Sequence, residues 1–466
     1  MPPVDGEDDS NARGLPREVV EWLERSFDAR LVLCERSVSR REGWLVDLAG
    51  DDGRRVEGFL RLERFVDGRL KEPSAQVVRE THVVRALHDR GVAVPAVLAH
   101  DAGLQATLFE RVPGRDDVHE LEDRERVDTI ARDFMRQLVR WHSIPVETLA
   151  VEGLTTPETA DEYALAGIHD LERGYAASTK TPDPLATLTF AWLRRNVPEP
   201  PERPVLVQGD TGPGNFLYEG NRVSAILDWE CAHVGDPVED LGHLYSRGFF
   251  HPWGETRALI DVYVEAGGSA PEPAKLHFHR VASFAKAALG STMAVNFWGV
   301  EGPLAMLMYF SLSGERGLAQ SLAAAMGVDV EDATLPEPPS GESAPLDRPL
   351  EAIAAHIVDA ELVPALGSPY LRHRATELRD LARYHARRER YRSVVVAQET
   401  QELSQVLGAP ITTIEEGLAG LNERIRSWDD TTAGEIARYL VRRAQRAEAL
   451  ASPLAGRYAN PVLSAI

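Results

Sequence analysis

The spacing of hydrophobic and polar positions changes several times along this chain, and each change marks a part. Val56-Glu57-Gly58-Phe59-Leu60-Arg61-Leu62 alternates, which predicts a strand with Arg61 on the face opposite Leu60 and Leu62. From about Ser74 to Arg90 the apolar positions Val77, Val84 and Leu87 recur at helical spacing, so Glu80 can face that strand and pair with Arg61. Ala106 to Val112 reads as a further strand, stopped by Pro113-Gly114. A helix follows, with Ile130, Phe134, Leu138 and Trp141 three or four apart, and Ser143-Ile144-Pro145 ends it. Val205-Leu206-Val207 reads as a short buried strand. Phe216-Leu217-Tyr218 and Val223 to Leu227 flank the turn residues Glu219-Gly220-Asn221-Arg222 and predict a hairpin. Helices fill roughly 237–327, including Phe278 to Ala288.

Between Val207 and the hairpin lies Gln208-Gly209-Asp210-Thr211-Gly212-Pro213-Gly214-Asn215, which its glycines and proline keep out of a helix. Asp210 therefore sits on a loop at a strand end, and the hairpin folds Asp228 back beside Asn215. An Asp, an Asn and a second Asp so arranged suit phosphoryl transfer. That reaction needs a positioned hydroxyl and neutralised phosphate charge more than covalent catalysis. Asp210 is the candidate base. Asn215 and Asp228 offer hard oxygens to magnesium, which takes few protein ligands and keeps waters and phosphates for the rest. The competing reading is a hairpin whose Asp and Asn cap turns.

These residues, with Gly235-Asp236-Pro237-Val238-Glu239-Asp240-Leu241-Gly242, resemble the aminoglycoside phosphotransferase-like kinases. The subgroup related to the kinase domains of certain acyl-CoA dehydrogenases is similar in having Arg in the strand and a segment like Gly68 to Ala75 before the helix. The resemblance implies an α+β, two-lobed protein-kinase-like fold with a β-rich N-lobe and a mostly helical C-lobe. It implies ATP and Mg2+ as cofactors, with Arg61 and Glu80 standing where kinases keep a Lys and Glu pair. It also implies structural bracing of the catalytic loop by Gln208, where the family usually has His, and by Asp236. Adenine would meet backbone groups near Glu110 to Val112. Ser39 lies where a glycine-rich phosphate loop belongs, in a segment, 37–44, that holds a single glycine. Lys71, one of four lysines, is the rival phosphate ligand to Arg61.

The domain reading is a disordered acidic tail over 1–14, an N-lobe over 15–112, a C-lobe over 113–327, a linker over 328–349 and a helical domain over 350–466. The linker rests on clustered Pro336, Pro338, Pro339, Pro345 and Pro349. The helical domain rests on Leu350, Ile353, Ala354, Ile357 and Val358, and on helical spacing around 370–391, 412–425 and 432–450, with Thr412 and Glu415 resembling a capping box. Arg379, Arg383, Arg387, Arg388, Arg390 and Arg392 form its basic concentration, read as a solvated face or as a docking face for a protein partner or self-association.

Composition narrows the setting. With 43% apolar residues and no long apolar span, the expectation is a cytoplasmic enzyme without a membrane segment or export signal. Cys34 and Cys231 make no disulfide framework, and a formal charge of -22 disfavours nucleic acid. The expected reaction moves the terminal phosphate of ATP to a small-molecule hydroxyl, with a hydroxy acid or hydroxyacyl-CoA preferred over an aminoglycoside or macrolide. A pseudokinase or binding module is the alternative from another class, motivated by Gln208 and the glycine-poor segment.

Overall fold

Helix α1 (Arg17–Phe27) carries Val19, Trp22 and Leu23 along one stripe, and in the computed structural model that stripe closes one side of a sheet core. The structure describes residues 15–37, 42–62, 65–66, 69–70, 75–298, 303–338, 347–427, 430–458 and 461–466. The tail over 1–14, Ser39, Lys71 and half of the expected phosphate segment lie outside them. Two compact units interleave along the chain. The first takes Met1–Thr155, Val205–Val234 and Glu265–Gly268; the second takes Thr156–Pro204, Gly235–Val264 and Ser269–Ile466.

In the first unit the strands are β1 (Arg30–Arg36), β2 (Glu42–Ala49), β3 (Arg55–Leu62), the two-residue strands β4 (Phe65–Val66) and β5 (Arg69–Leu70), β6 (Val97–Asp101) and β7 (Ala106–Glu110). Five of them form an antiparallel sheet in the order β1-β2-β3-β7-β6. The alternation over 56–62 sends Leu60 and Leu62 into the core with Trp44, Val46 and Leu108, and leaves Arg61 on the other face. Helix α2 (Ala75–His88) buries Glu80 along with Val83, Val84 and Leu87. Helix α3 (Arg124–His142) is capped by Asp123, and its Phe134 and Trp141 pack against Phe216 (tilted) and Trp229 (edge to face), with ring centroids 4.8 and 5.5 Å apart. Those two rings flank the chemistry-bearing hairpin, made of β9 (Phe216–Glu219) and β10 (Arg222–Ile226) after the buried strand β8 (Val205–Val207).

The second unit is helical: α4 (Ala160–Ser178), α5 (Pro184–Arg195), α6 (Pro237–Phe250), α7 (Thr256–Glu265) without its last residue, α8 (Pro273–Trp298), α9 (Leu304–Ala325), α10 (Asp347–His356), α11 (Val363–Ala365), α12 (Pro369–Leu407), α13 (Ile414–Arg426) and α14 (Asp430–Leu450). Small residues let α8 and α9 approach closely. A Cβ on Gly314 would lie 3.0 Å from the Ala288 Cα, and one on Gly317 would enter the Phe284 ring.

The helices over 350–466, expected as a domain of their own, fall in the same compact unit as α8 and α9. The reason is the character of α9, which buries Leu307, Leu318 and Leu322 and also Ala305 and Tyr309, the last two in a cluster with Tyr384, Ala451 and Leu454. A helix buried on more than one face needs partners on both sides. Within the described part of the expected linker, Ala333 N donates to Gln445 at 2.8 Å, and Arg438 Nε donates to the Asp329 carbonyl at 3.1 Å. The N-cap falls one residue later than the capping box read at Thr412 and Glu415. Thr413 caps α13 through Glu416 N, and Glu416 accepts from Thr412 N. The arginine concentration on α12 is largely compensated: Arg379 pairs with Asp359 and Asp380, Arg392 with Glu389, and Arg387 and Arg388 lie over Tyr391 and Tyr384.

One buried carboxylate ties α12 to the start of α9. Glu377 accepts from Ala305 N at 2.7 Å and pairs with Arg374. Glu377→Ala leaves that amide unsatisfied in the core and should cost about 1–3 kcal/mol in urea denaturation followed by circular dichroism. An unchanged midpoint would show that the contact contributes nothing.

Candidate active site

The loop after β8 turns on backbone that only glycine adopts cheaply. Gly209, Gly212 and Gly214 have φ of +83°, +141° and +88°, and a Cβ on Gly209 would come within 2.8 Å of the Cys231 carbonyl oxygen. Between these glycines the chain presents Asp210 and returns to Asn215, whose Nδ2 donates at 2.7 Å both to the Asp210 carbonyl and to Asp210 Oδ2. The donor is the amide nitrogen, so the oxygen end of Asn215 is the one with the chemistry for a cation. The hairpin register then does what the turn residues implied. Phe216 faces Ile226, and Leu227 N donates to the Asn215 carbonyl at 2.8 Å, which sets Asp228 beside the Asp210 and Asn215 pair.

Gln208 joins the two sides of this arrangement. Its Nε2 donates to the Leu227 and Asp228 carbonyls at 2.9 and 3.1 Å, and its Oε1 accepts from Asp210 N and Thr211 Oγ1 at 3.2 and 2.8 Å. A primary amide offers donor and acceptor on opposite ends, so one buried side chain holds the Asp210 loop against the Asp228 loop without any charge. Trp229, fully buried, adds a bond from Nε1 to the Ile226 carbonyl at 3.3 Å.

Arg61 reaches this site from β3. Its Nη1 donates to Glu80 at 2.7 Å, and its Nη2 donates to Asp228 at 3.0 Å and also to Glu230. Glu80 and Glu230 are buried, whereas the Asp228 side chain is 30% exposed. Burial works against the guanidinium charge, but the combined field of Glu80, Asp228 and Glu230 outweighs it and raises the Arg61 pKa above its ordinary value. Glu230 is the residue that sequence reasoning missed. Its signal was an acid between Trp229 and Ala232, two residues that both bury completely, where an unpaired carboxylate would be costly.

In the segment where a hinge is expected, Glu110 N donates to the Ala96 carbonyl at 2.8 Å and Arg111 N to the Glu57 carbonyl at 3.3 Å, while among the described residues the Val112 backbone engages no partner. Three residues later Arg115 exchanges backbone bonds with Tyr218 on β9 at 3.0 and 2.9 Å, which fastens this segment to the hairpin. Gly114, at φ +146°, passes so close to Ser224 and Tyr218 that a side chain there would collide.

Asp236 caps α6 by accepting from Val238 N at 2.9 Å and pairs with Lys275 on α8 at 2.8 Å. A Gly-Asp-Pro segment is well suited to that task, since Asp is a strong N-cap and Pro is favoured at the first helical position. Among the described residues no group of three or more His, Cys, Asp or Glu side chains could hold a metal, and none of the helices is long and apolar enough to cross a membrane. The Asn215 amide and Asp228 carboxylate still fit magnesium, which asks for few protein oxygens when phosphates supply others.

Residues 49–279 match the phosphotransferase enzyme family. Acyl-CoA dehydrogenase family member 11 of Rattus norvegicus is 28% identical over 211 residues, 43% of this chain and 26% of that protein. Acyl-CoA dehydrogenase family member 10 of Mus musculus is 28% identical over 194 residues, 40% of this chain and 18% of that protein. The match thus spans about a quarter or less of these curated relatives. Among solved structures, a candidate aminoglycoside phosphotransferase from Ralstonia eutropha superposes with a TM-score of 0.51 at 18% identity, covering 67% of this chain and 98% of that one. That likeness shows the protein-kinase-like fold.

Gln208→Ala removes both halves of the clasp and leaves buried backbone groups unpaired. It should lower stability by about 2–4 kcal/mol in a denaturant titration. A loss below about 0.5 kcal/mol, the range of an ordinary surface substitution, would contradict the bracing geometry.

Proposed function

We propose that this chain, which carries a domain of the phosphotransferase enzyme family over residues 49–279, moves the terminal phosphate of ATP to a hydroxyl of a small molecule. The observation that carries the reading is the convergence of Asp210, Asn215 and Asp228 on one clasped pair of loops, with Arg61 reaching Asp228 from the sheet. Asp210 accepts the proton of the acceptor hydroxyl as its oxygen attacks the γ-phosphorus, and the phosphate leaves ADP for that oxygen. The Asn215 amide holds the Asp210 carboxylate in one orientation. Val112 offers its backbone groups to adenine, and Arg61 faces the phosphates with Glu80 behind it. Asn215 and Asp228 would hold magnesium, which when bound would neutralise charge at the phosphates. A need for ATP supports a cytoplasmic setting.

For the acceptor we favour a hydroxy acid or hydroxyacyl-CoA, on the similarity to acyl-CoA dehydrogenase family members 10 and 11. The inert alternative was motivated by Gln208, and its four hydrogen bonds supply the loop geometry that His would otherwise provide.

Asp210→Asn should lower turnover by about 10²- to 10⁴-fold while nucleotide affinity stays nearly unchanged, because the lost group touches the acceptor. Steady-state kinetics beside calorimetric ATP titration separates the two, and a parallel loss of nucleotide affinity would refute the base assignment. Asp228→Asn should instead abolish the magnesium dependence of ATP binding in the same calorimeter, and an unaltered dependence would sink the metal role. Transfer of labelled γ-phosphate to a panel of hydroxyacyl-CoAs, hydroxy acids, aminoglycosides and macrolides identifies the acceptor; labelling of antibiotics alone would displace our preference.

A further inference from the structure

The Arg61 guanidinium has one nitrogen for Glu80 and one nitrogen shared by two acids. Nη1 meets Glu80 at 2.7 Å, while Nη2 meets both Asp228 and Glu230. The three carboxylates are not equivalent. The Glu80 and Glu230 side chains are 3% and 6% exposed, and that of Asp228 is 30% exposed. Glu230 is fixed further by its own backbone, since Arg79 Nη2 donates to its carbonyl at 3.3 Å. A cation arriving from solvent therefore competes with Arg61 for Asp228, the acid that solvent can reach.

We infer that Glu230 is a positioning residue that retains Nη2 of Arg61, so that Asp228 can leave the guanidinium and bind magnesium. The inference rests on the phosphotransferase reading above and adds a residue to it. Two buried acids, one on each terminal nitrogen, hold the guanidinium in place from β3 whether or not Asp228 remains bonded. Without the Glu230 charge, Asp228 becomes the only anionic partner of Nη2 among the described residues. The guanidinium then neutralises the carboxylate that the metal requires, and magnesium must displace a stronger ion pair. Partners behind a metal ligand commonly change metal affinity by about 10- to 100-fold when altered, and a shift of that size is expected here.

Glu230→Gln keeps the volume and a hydrogen-bond acceptor but removes the charge. Calorimetric ATP titrations across a magnesium series should show the magnesium concentration for half-maximal nucleotide binding rising about tenfold or more relative to wild type, with magnesium-free ATP affinity unchanged or tighter. A merely structural role would weaken both kinds of binding together, and that result overturns the inference, as does an unchanged magnesium requirement. Should the Gln variant fail to fold, Glu230→Asp carries the test, because it keeps the buried charge but draws it back from Nη2. A smaller rise in the same direction is expected, and a wild-type value refutes the role. Absence of magnesium-dependent ATP binding in the wild type itself would defeat the parent reading and this inference together, whereas a magnesium-dependent wild type with an indifferent Glu230→Gln defeats only the inference.

Discussion

A cation buried on the face of a sheet is the constraint around which the first unit is organised. Arg61 cannot sit at its position in β3 without acids close by, because an unpaired charge out of water costs several kcal/mol. The chain meets that demand from two distant segments. Glu80 comes from α2, and Asp228 and Glu230 come from the loop after the hairpin, 167 and 169 residues away in sequence. The sheet, the helix and the hairpin loop are thereby fixed to one another by charge at the place where phosphate chemistry is expected. Replacing any one of the acids changes how the other two share the guanidinium, so their contributions will not add independently.

The second organising element is neutral. Gln208 spans the two loops with an amide that both donates and accepts, and it does so at any pH, unlike an imidazole, which can gain a proton. The loops it joins contain glycines at positive φ and a tight passage beside Cys231. Such a backbone is held by its surroundings and has little intrinsic preference for the shape it takes. Precision at Asp210 therefore depends on buried bonds behind it and on the two aromatic contacts that α3 makes with the hairpin and with Trp229.

Much of this was legible in the sequence because it is local. Alternation placed Arg61 opposite Leu60 and Leu62, turn residues placed the hairpin, and the hairpin placed Asp228 beside Asn215. The Arg61 and Glu80 pair was within reach since both elements carry clear periodicity. Glu230 was not, because its partner is set by long-range folding and its neighbours give only the indirect hint of an acid in apolar company. The packing of the helices over 350–466 was not legible for another reason: the sequence of α9 can show that it is largely apolar but not which helices cover each side. For Asp236 the sequence could not tell an N-cap from a loop brace, because both use an acid accepting backbone donors.

Asp228 stands at φ +60°, in the left-handed region, without being a glycine. Asparagine, aspartate and glycine occupy that region at the lowest cost, while β-branched and bulky residues are strained there. Shape thus filters which descendants of this sequence can exist. A lineage that abandoned catalysis would keep the loop folded by drifting to Asn or Gly at 228, and a lineage that lost the fold's protection could drift to anything. The residue found at that one position in a related chain would then record whether selection had relaxed on chemistry alone or on the architecture as well.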